Sequence, residues 1–125
     1  MLPVLALLLL AAPGLAQEPP GFSGDRAYHW VLAQTDLGPR PPGSAALEQL
    51  RQLVADHADS LGLRLTRLCF EATSPWDGQA ITVCNLIVSA GPPGGRRLWL
   101  GAHYDTRPGS DLDPDPDRRD EPLLG

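Results

Sequence analysis

Residues 44–62 limit what this chain can fold into more than any other segment. Ser44 is a good helix N-cap, and Leu47, Leu50, Val54, Ala58 and Leu61 follow at helical spacing as one apolar stripe over almost five turns. Gly62 stands where a helix C′ residue is needed. A helix that is apolar on one side only must lay that side against another layer. The partners on offer are β-rich. Leu63 to Phe70 alternates as a half-buried strand, with Leu63, Leu65 and Arg67 on one side. Ala80 to Ala90 (AITVCNLIVSA) is β-branched and apolar enough for a buried strand. Arg97 to Ala102 (RLWLGA) reads as a third buried strand. Ser74 to Gly78 is a turn or loop, and Gly91 to Gly95 (GPPGG) is a hairpin-like turn.

Upstream, Asp25 to Gln34 reads as a first helix with Ala27, Trp30 and Val31 on one face. Three prolines and two glycines keep Leu37 to Gly43 out of any helix. The expectation is an α/β chain of two helices followed by three strands, with no internal repeat. Nothing in these 125 residues would then cover both faces of a central third strand, which suggests part of a larger domain.

The start of the chain has a different character. Residues 1–16 carry no charged side chain, Leu5 to Ala12 is an unbroken apolar run, and Gly14-Leu15-Ala16 supplies small residues for cleavage. This is the pattern of a signal peptide cut after Ala16, leaving Gln17, which can cyclise to pyroglutamate, as the first residue. The run is too short to span a bilayer and no cysteine follows it closely, so no stable membrane anchor is expected. Residues 17–125 would then be the mature, secreted or periplasmic portion. Such a compartment permits a disulfide between Cys69 and Cys84, which sit on two neighbouring predicted strands; two buried free thiols are the alternative. Two thiols supply only half a zinc ligand set. The net charge of −5 argues against nucleic acid as a partner. Most of that charge lies between Asp105 and Glu121, where seven acids face three arginines.

The third strand would deliver His103, Tyr104 and Asp105 at its carboxyl end, the place where open α/β sheets carry their sites. An Asp two residues after a His can accept the second imidazole N–H and orient the ring for a metal. The aspartates that follow resemble the start of a calcium loop, but Pro116 and Pro122 stand where that loop needs its Gly and its Glu. His29 and His57 fall on the helices without evident partners. Trp30, Trp76 and Trp99 suit packing better than substrate stacking. There is no phosphate-binding glycine loop, nucleophile-elbow serine or Cys/His nucleophile pattern.

Three ordered motifs carry a resemblance: GPRPPGS at Gly38 to Ser44, GAHYDTRP at Gly101 to Pro108, and DPDPDRRDEPLLG at Asp113 to Gly125. Together they resemble zinc metallopeptidase family twenty-eight, in its glutaminyl-peptide cyclotransferase-like branch, over essentially the whole chain from Phe22. The resemblance implies the N-terminal part of a mixed-sheet α/β/α sandwich and zinc as cofactor. It implies peptide or protein N-termini as substrate, with either cyclisation of an N-terminal glutamine or removal of the first residue. The His matching His103 is a zinc ligand in aminopeptidase members and lies near the zinc in animal-type cyclases. The residue matching Asp105 supports it from behind. HxDTRP followed by an Asp/Pro-rich stretch leans toward the cyclase-like branch. Asp111 and Asp113 become candidates for the mouth of the substrate site. The family's further acidic ligands and late histidine have no counterpart in this sequence, so the 125 residues by themselves are expected to be inert. A secreted, non-catalytic remnant or binding module is the alternative of another class.

Overall fold

The computed structural model describes residues 21–124. The expected signal peptide, residues 1–16, and Gln17 lie outside the described residues. Two helices, α1 (Gly24–Thr35) and α2 (Ala45–Ser60), precede two strands, β1 (Arg64–Thr73) and β2 (Ala80–Ser89); a short 3-10 turn (Pro116–Arg118) comes later.

Each helix starts where its cap dictates. The Ser23 hydroxyl accepts from the Arg26 amide at 3.2 Å, and the Ser44 hydroxyl from the Leu47 amide at 3.2 Å. The end of α2 is a Schellman arrangement. The Gly62 amide donates to Asp59 and the Leu63 amide to Ala58, at 2.8 and 2.9 Å, with Gly62 at φ +65°. A side chain at that φ is costly, which is why glycine ends the helix there.

The core gathers under α2. Leu47, Leu50 and Ala58 are buried, as is Cys84 on β2. Val54 is half-buried, whereas Leu61, expected to complete the stripe, is the C-cap and stays exposed. α1 departs further from expectation, for none of its residues is buried and Val31 is half exposed. Its contact with α2 runs through Trp30, whose ring lies 4.3 Å from that of His57, so His57 does have a partner.

β1 and β2 pair antiparallel from Arg64↔Ser89 to Thr73↔Ala80, with Cys69 directly opposite Cys84. Their Cα atoms are 4.0 Å apart and the two cysteines are joined in a disulfide. The connecting loop closes on Ser74, whose amide donates to Gln79 and whose carbonyl accepts from Gly78. β2 was expected to be buried, yet only Cys84 on it is fully so. Two strands and one packed helix cannot cover both faces of a sheet, and Leu68 and Phe70 are left about half exposed.

The expected third strand is absent among the described residues. Residues 97–102 make no ladder with β1 or β2, and Leu98, Trp99 and Leu100 are 87%, 70% and 90% exposed. The segment has strand composition, but a strand requires backbone hydrogen bonds exchanged with a neighbour, and residues 97–102 make no ladder among the described residues. The turn at Gly91 to Gly95 therefore joins no hairpin.

Candidate functional site

His103, Tyr104 and Asp105 follow directly on that unpaired segment. The His103 side chain is 97% exposed, with Nδ1 placed 3.3 Å from Asp105 Oδ1. A carboxylate there favours the proton on Nδ1 and leaves Nε2 as the open lone pair. Nε2 makes no hydrogen bond among the described residues.

Tyr104 turns the other way, into the protein. Its hydroxyl donates to the Cys84 carbonyl and accepts from Arg51 Nε at 3.2 Å. Arg51 is buried on α2 beside Leu50, and its Nη1 also reaches Glu48 at 3.0 Å. Arg67 on β1 meets the same carboxylate at 2.7 Å. Hydrogen bonds from Arg51 and then Arg67 hold the Glu48 carboxyl below its usual pKa. One tyrosine thus ties the His103 segment to the disulfide strand and to α2.

Arg40 ties the other side. It lies in the proline-rich turn between the helices and is only 4% exposed. Its guanidinium donates to four carbonyls: Gln34 at 2.7 Å, Gly38 at 2.8 Å, Leu124 at 2.8 Å and Tyr104 at 3.4 Å. Its backbone pairs with Thr106 in both directions, the Arg40 amide to the Thr106 hydroxyl at 2.8 Å and the Thr106 amide to the Arg40 carbonyl at 3.0 Å. Among the described residues no carboxylate touches it. The charge is met by carbonyl dipoles, including that of Gln34 near the negative end of α1.

Between these ties lies a cleft of about 480 Å³, lined by Pro42, Leu47, Arg51, Asn85, His103 and Asp105 among others. The acidic loop folds largely on itself. Asp111 binds Arg107 at 2.6 Å, and Asp113 accepts from the Asp115 amide at 2.9 Å with Arg118 at 3.9 Å. Both amide and hydroxyl of Ser110 donate to the Glu121 carbonyl at 3.0 Å. Gly109 passes so close beneath the return limb that a Cβ would meet the Arg119 carbonyl at 2.7 Å.

His103 Nε2, backed by Asp105, fits one corner of a zinc centre. Among the described residues no three His, Cys, Asp or Glu side chains converge as a ligand set, and a catalytic zinc takes three protein ligands. His103, Asp105 and the cysteine pair stood out in the sequence. Arg51 did not, and Arg40, Tyr104 and Thr106 stood in motifs that gave no sign of the bonds they make. The available signal for Arg40 was an arginine set among three prolines.

The fold is shared with solved zinc exopeptidases and glutaminyl cyclases. The chain superposes on the glutaminyl cyclase of Fimbriiglobus ruber with a TM-score of 0.78 at 28% identity, over 86% of this chain. It matches a Zn-dependent exopeptidase from Parabacteroides distasonis with a TM-score of 0.77 at 36% identity, over 85%. A leucine aminopeptidase precursor from Bacteroides thetaiotaomicron gives 0.77 at 33% identity, again over 85%. The chain spans 36% of the length of each of these structures. No family model and no curated protein matches it. Among the described residues no helix is long and apolar enough to cross a membrane.

Proposed function

We propose that this chain is the N-terminal portion of an exported, zinc-dependent enzyme of the glutaminyl-peptide cyclotransferase type, acting on the free N-termini of peptides. The observation that carries the reading is the open imidazole of His103. Its Nδ1 is set on Asp105, at the rim of a cleft, in a fold shared with glutaminyl cyclases. In this reading His103 stands at the zinc, as a ligand or beside it, and Asp105 fixes its tautomer. Bound zinc would supply Lewis-acid polarisation of the substrate carbonyl. The residues of this chain hold and orient: Tyr104 and Arg40 fix the backbone that carries His103, and Asn85 and Arg51 supply polar groups to the cleft wall. Two donor side chains do not retain zinc, so residues 17–125 alone turn nothing over.

A second reading is aminopeptidase hydrolysis of the first residue, favoured by the likeness to the leucine aminopeptidase precursor and the Zn-dependent exopeptidase. One assay separates them. The full-length product of the gene, loaded with zinc, is given a glutamine-initiated dipeptide and a leucine anilide. Ammonia release from the first supports the cyclase, and anilide cleavage supports the aminopeptidase. Neither activity in a zinc-loaded protein would overturn both and leave a non-catalytic binding module.

A further inference from the structure

We propose that Arg40 is the positioning residue of the His103–Asp105 site, fixing where the imidazole stands without touching substrate or metal. The inference rests on the proposed function for its kinetic readout, and on geometry alone for its structural one. Three observations carry it.

The guanidinium is buried yet meets no carboxylate among the described residues; four of its five N–H groups go to backbone carbonyls. A buried charge is costly to maintain, and among the described residues this one is met by main chain, so its bonds define backbone positions rather than neutralise a partner. Those carbonyls come from four separate places: the end of α1, the turn at Gly38, and the two ends of the 104–124 excursion. One planar fork therefore sets the distance between them.

The second observation is proximity. The Tyr104 carbonyl lies in the peptide unit between His103's neighbour and Asp105, and the Thr106 pair to the Arg40 backbone locks the next residue. The third is the state of the segment on the other side. Residues 97–102 make no ladder bonds among the described residues, and His103 itself is almost wholly exposed. Tyr104 and Arg40 are what fix the backbone at the imidazole, and Tyr104 acts through its side chain whereas Arg40 acts on the main chain itself.

The test uses the full-length product in four forms: wild type, Arg40→Met, Arg40→Lys, and Thr106→Val, a milder variant that keeps the guanidinium. Displacing a reacting group by about an ångström costs on the order of 100-fold in rate. Arg40→Met is therefore expected to lower kcat about 100-fold with KM changed less than about threefold. Arg40→Lys should not rescue it, because an ammonium cannot span the separate carbonyls. Thr106→Val should fall between. Hydrogen exchange should speed up at residues 104–106 and 123–124 while β1 and β2 keep their protection. If Arg40→Met lowers kcat only in proportion to its loss of folded protein, or exchange rises equally in the hairpin, Arg40 is merely structural and the proposal fails. If wild type shows neither activity, the functional reading fails, and the exchange pattern alone still decides whether Arg40 fixes this segment.

Discussion

The most instructive residue cluster is formed by Glu48 and the two arginines that share it. Glu48 is more than half exposed, yet it joins α2 to β1 by accepting from Arg51 and Arg67. Its carboxyl is held below the ordinary value by those two bonds. A carboxylate whose pKa is lower folded than unfolded adds stability that is fully present above the unfolded value. That stability is lost as pH falls through the folded one. Solvent screening keeps the contribution to roughly 0.5–1 kcal/mol. Urea unfolding should show Glu48→Gln less stable than wild type by that amount at pH 7, with the difference vanishing once acid has protonated Glu48 in the folded state as well. A difference that persists in acid would mean Glu48 acts through packing rather than charge.

At the scale of elements, the hairpin is held by its register and its disulfide together. Cys69 and Cys84 close a loop with a sequence separation of 15. Crosslinking a loop of that length stabilises by about 3 kcal/mol, mainly by restricting the unfolded chain. Reduction should lower the unfolding free energy by about that much. A loss of under about 1 kcal/mol would show that the ladder and the Tyr104 bond to the Cys84 carbonyl hold the strands unaided. These elements were legible to different degrees. α2 could be read to within a residue because its cap, stripe and terminal glycine are local signals. The paired strands could be read for the same reason, though β1 runs three residues past Phe70. Residues 97–102 have equally good strand composition and form no strand, because pairing is a property of the neighbour and not of the segment. The role of Arg40, though the residue stands in the GPRPPGS motif, could not be read because its partners are carbonyls, which every residue carries.

Over the whole molecule, charge is the organising asymmetry. The net charge is −5, and residues 105–121 contribute seven acids and three arginines, or −4. Most of those acids are engaged locally, but ion pairs within the loop do not cancel its field. In the proposed enzyme that field would attract the ammonium of a peptide N-terminus. Replacing Asp111 and Asp113 together by Asn brings the loop to −2. In the full-length protein this should raise KM a few-fold at low salt, with the difference shrinking as ionic strength rises. An unchanged KM at low salt would remove the loop from substrate capture. The same scale explains the apolar surface. Leu98, Trp99 and Leu100 are more exposed than isolated surface leucines need be, and contiguous apolar exposure of this kind marks a surface that something else covers.

One consequence follows from the two carbonyls that Arg40 holds at Tyr104 and Leu124. The chain departs from the body of the protein and comes back to it at a single anchor, so everything between is a closed detour. The entropic cost of closing a loop rises only slowly with its length. Lengthening or shortening the stretch from Arg107 to Glu121 should therefore leave the anchor, and the imidazole beside it, where they are. The acidic loop can be re-cut in size without re-measuring the site.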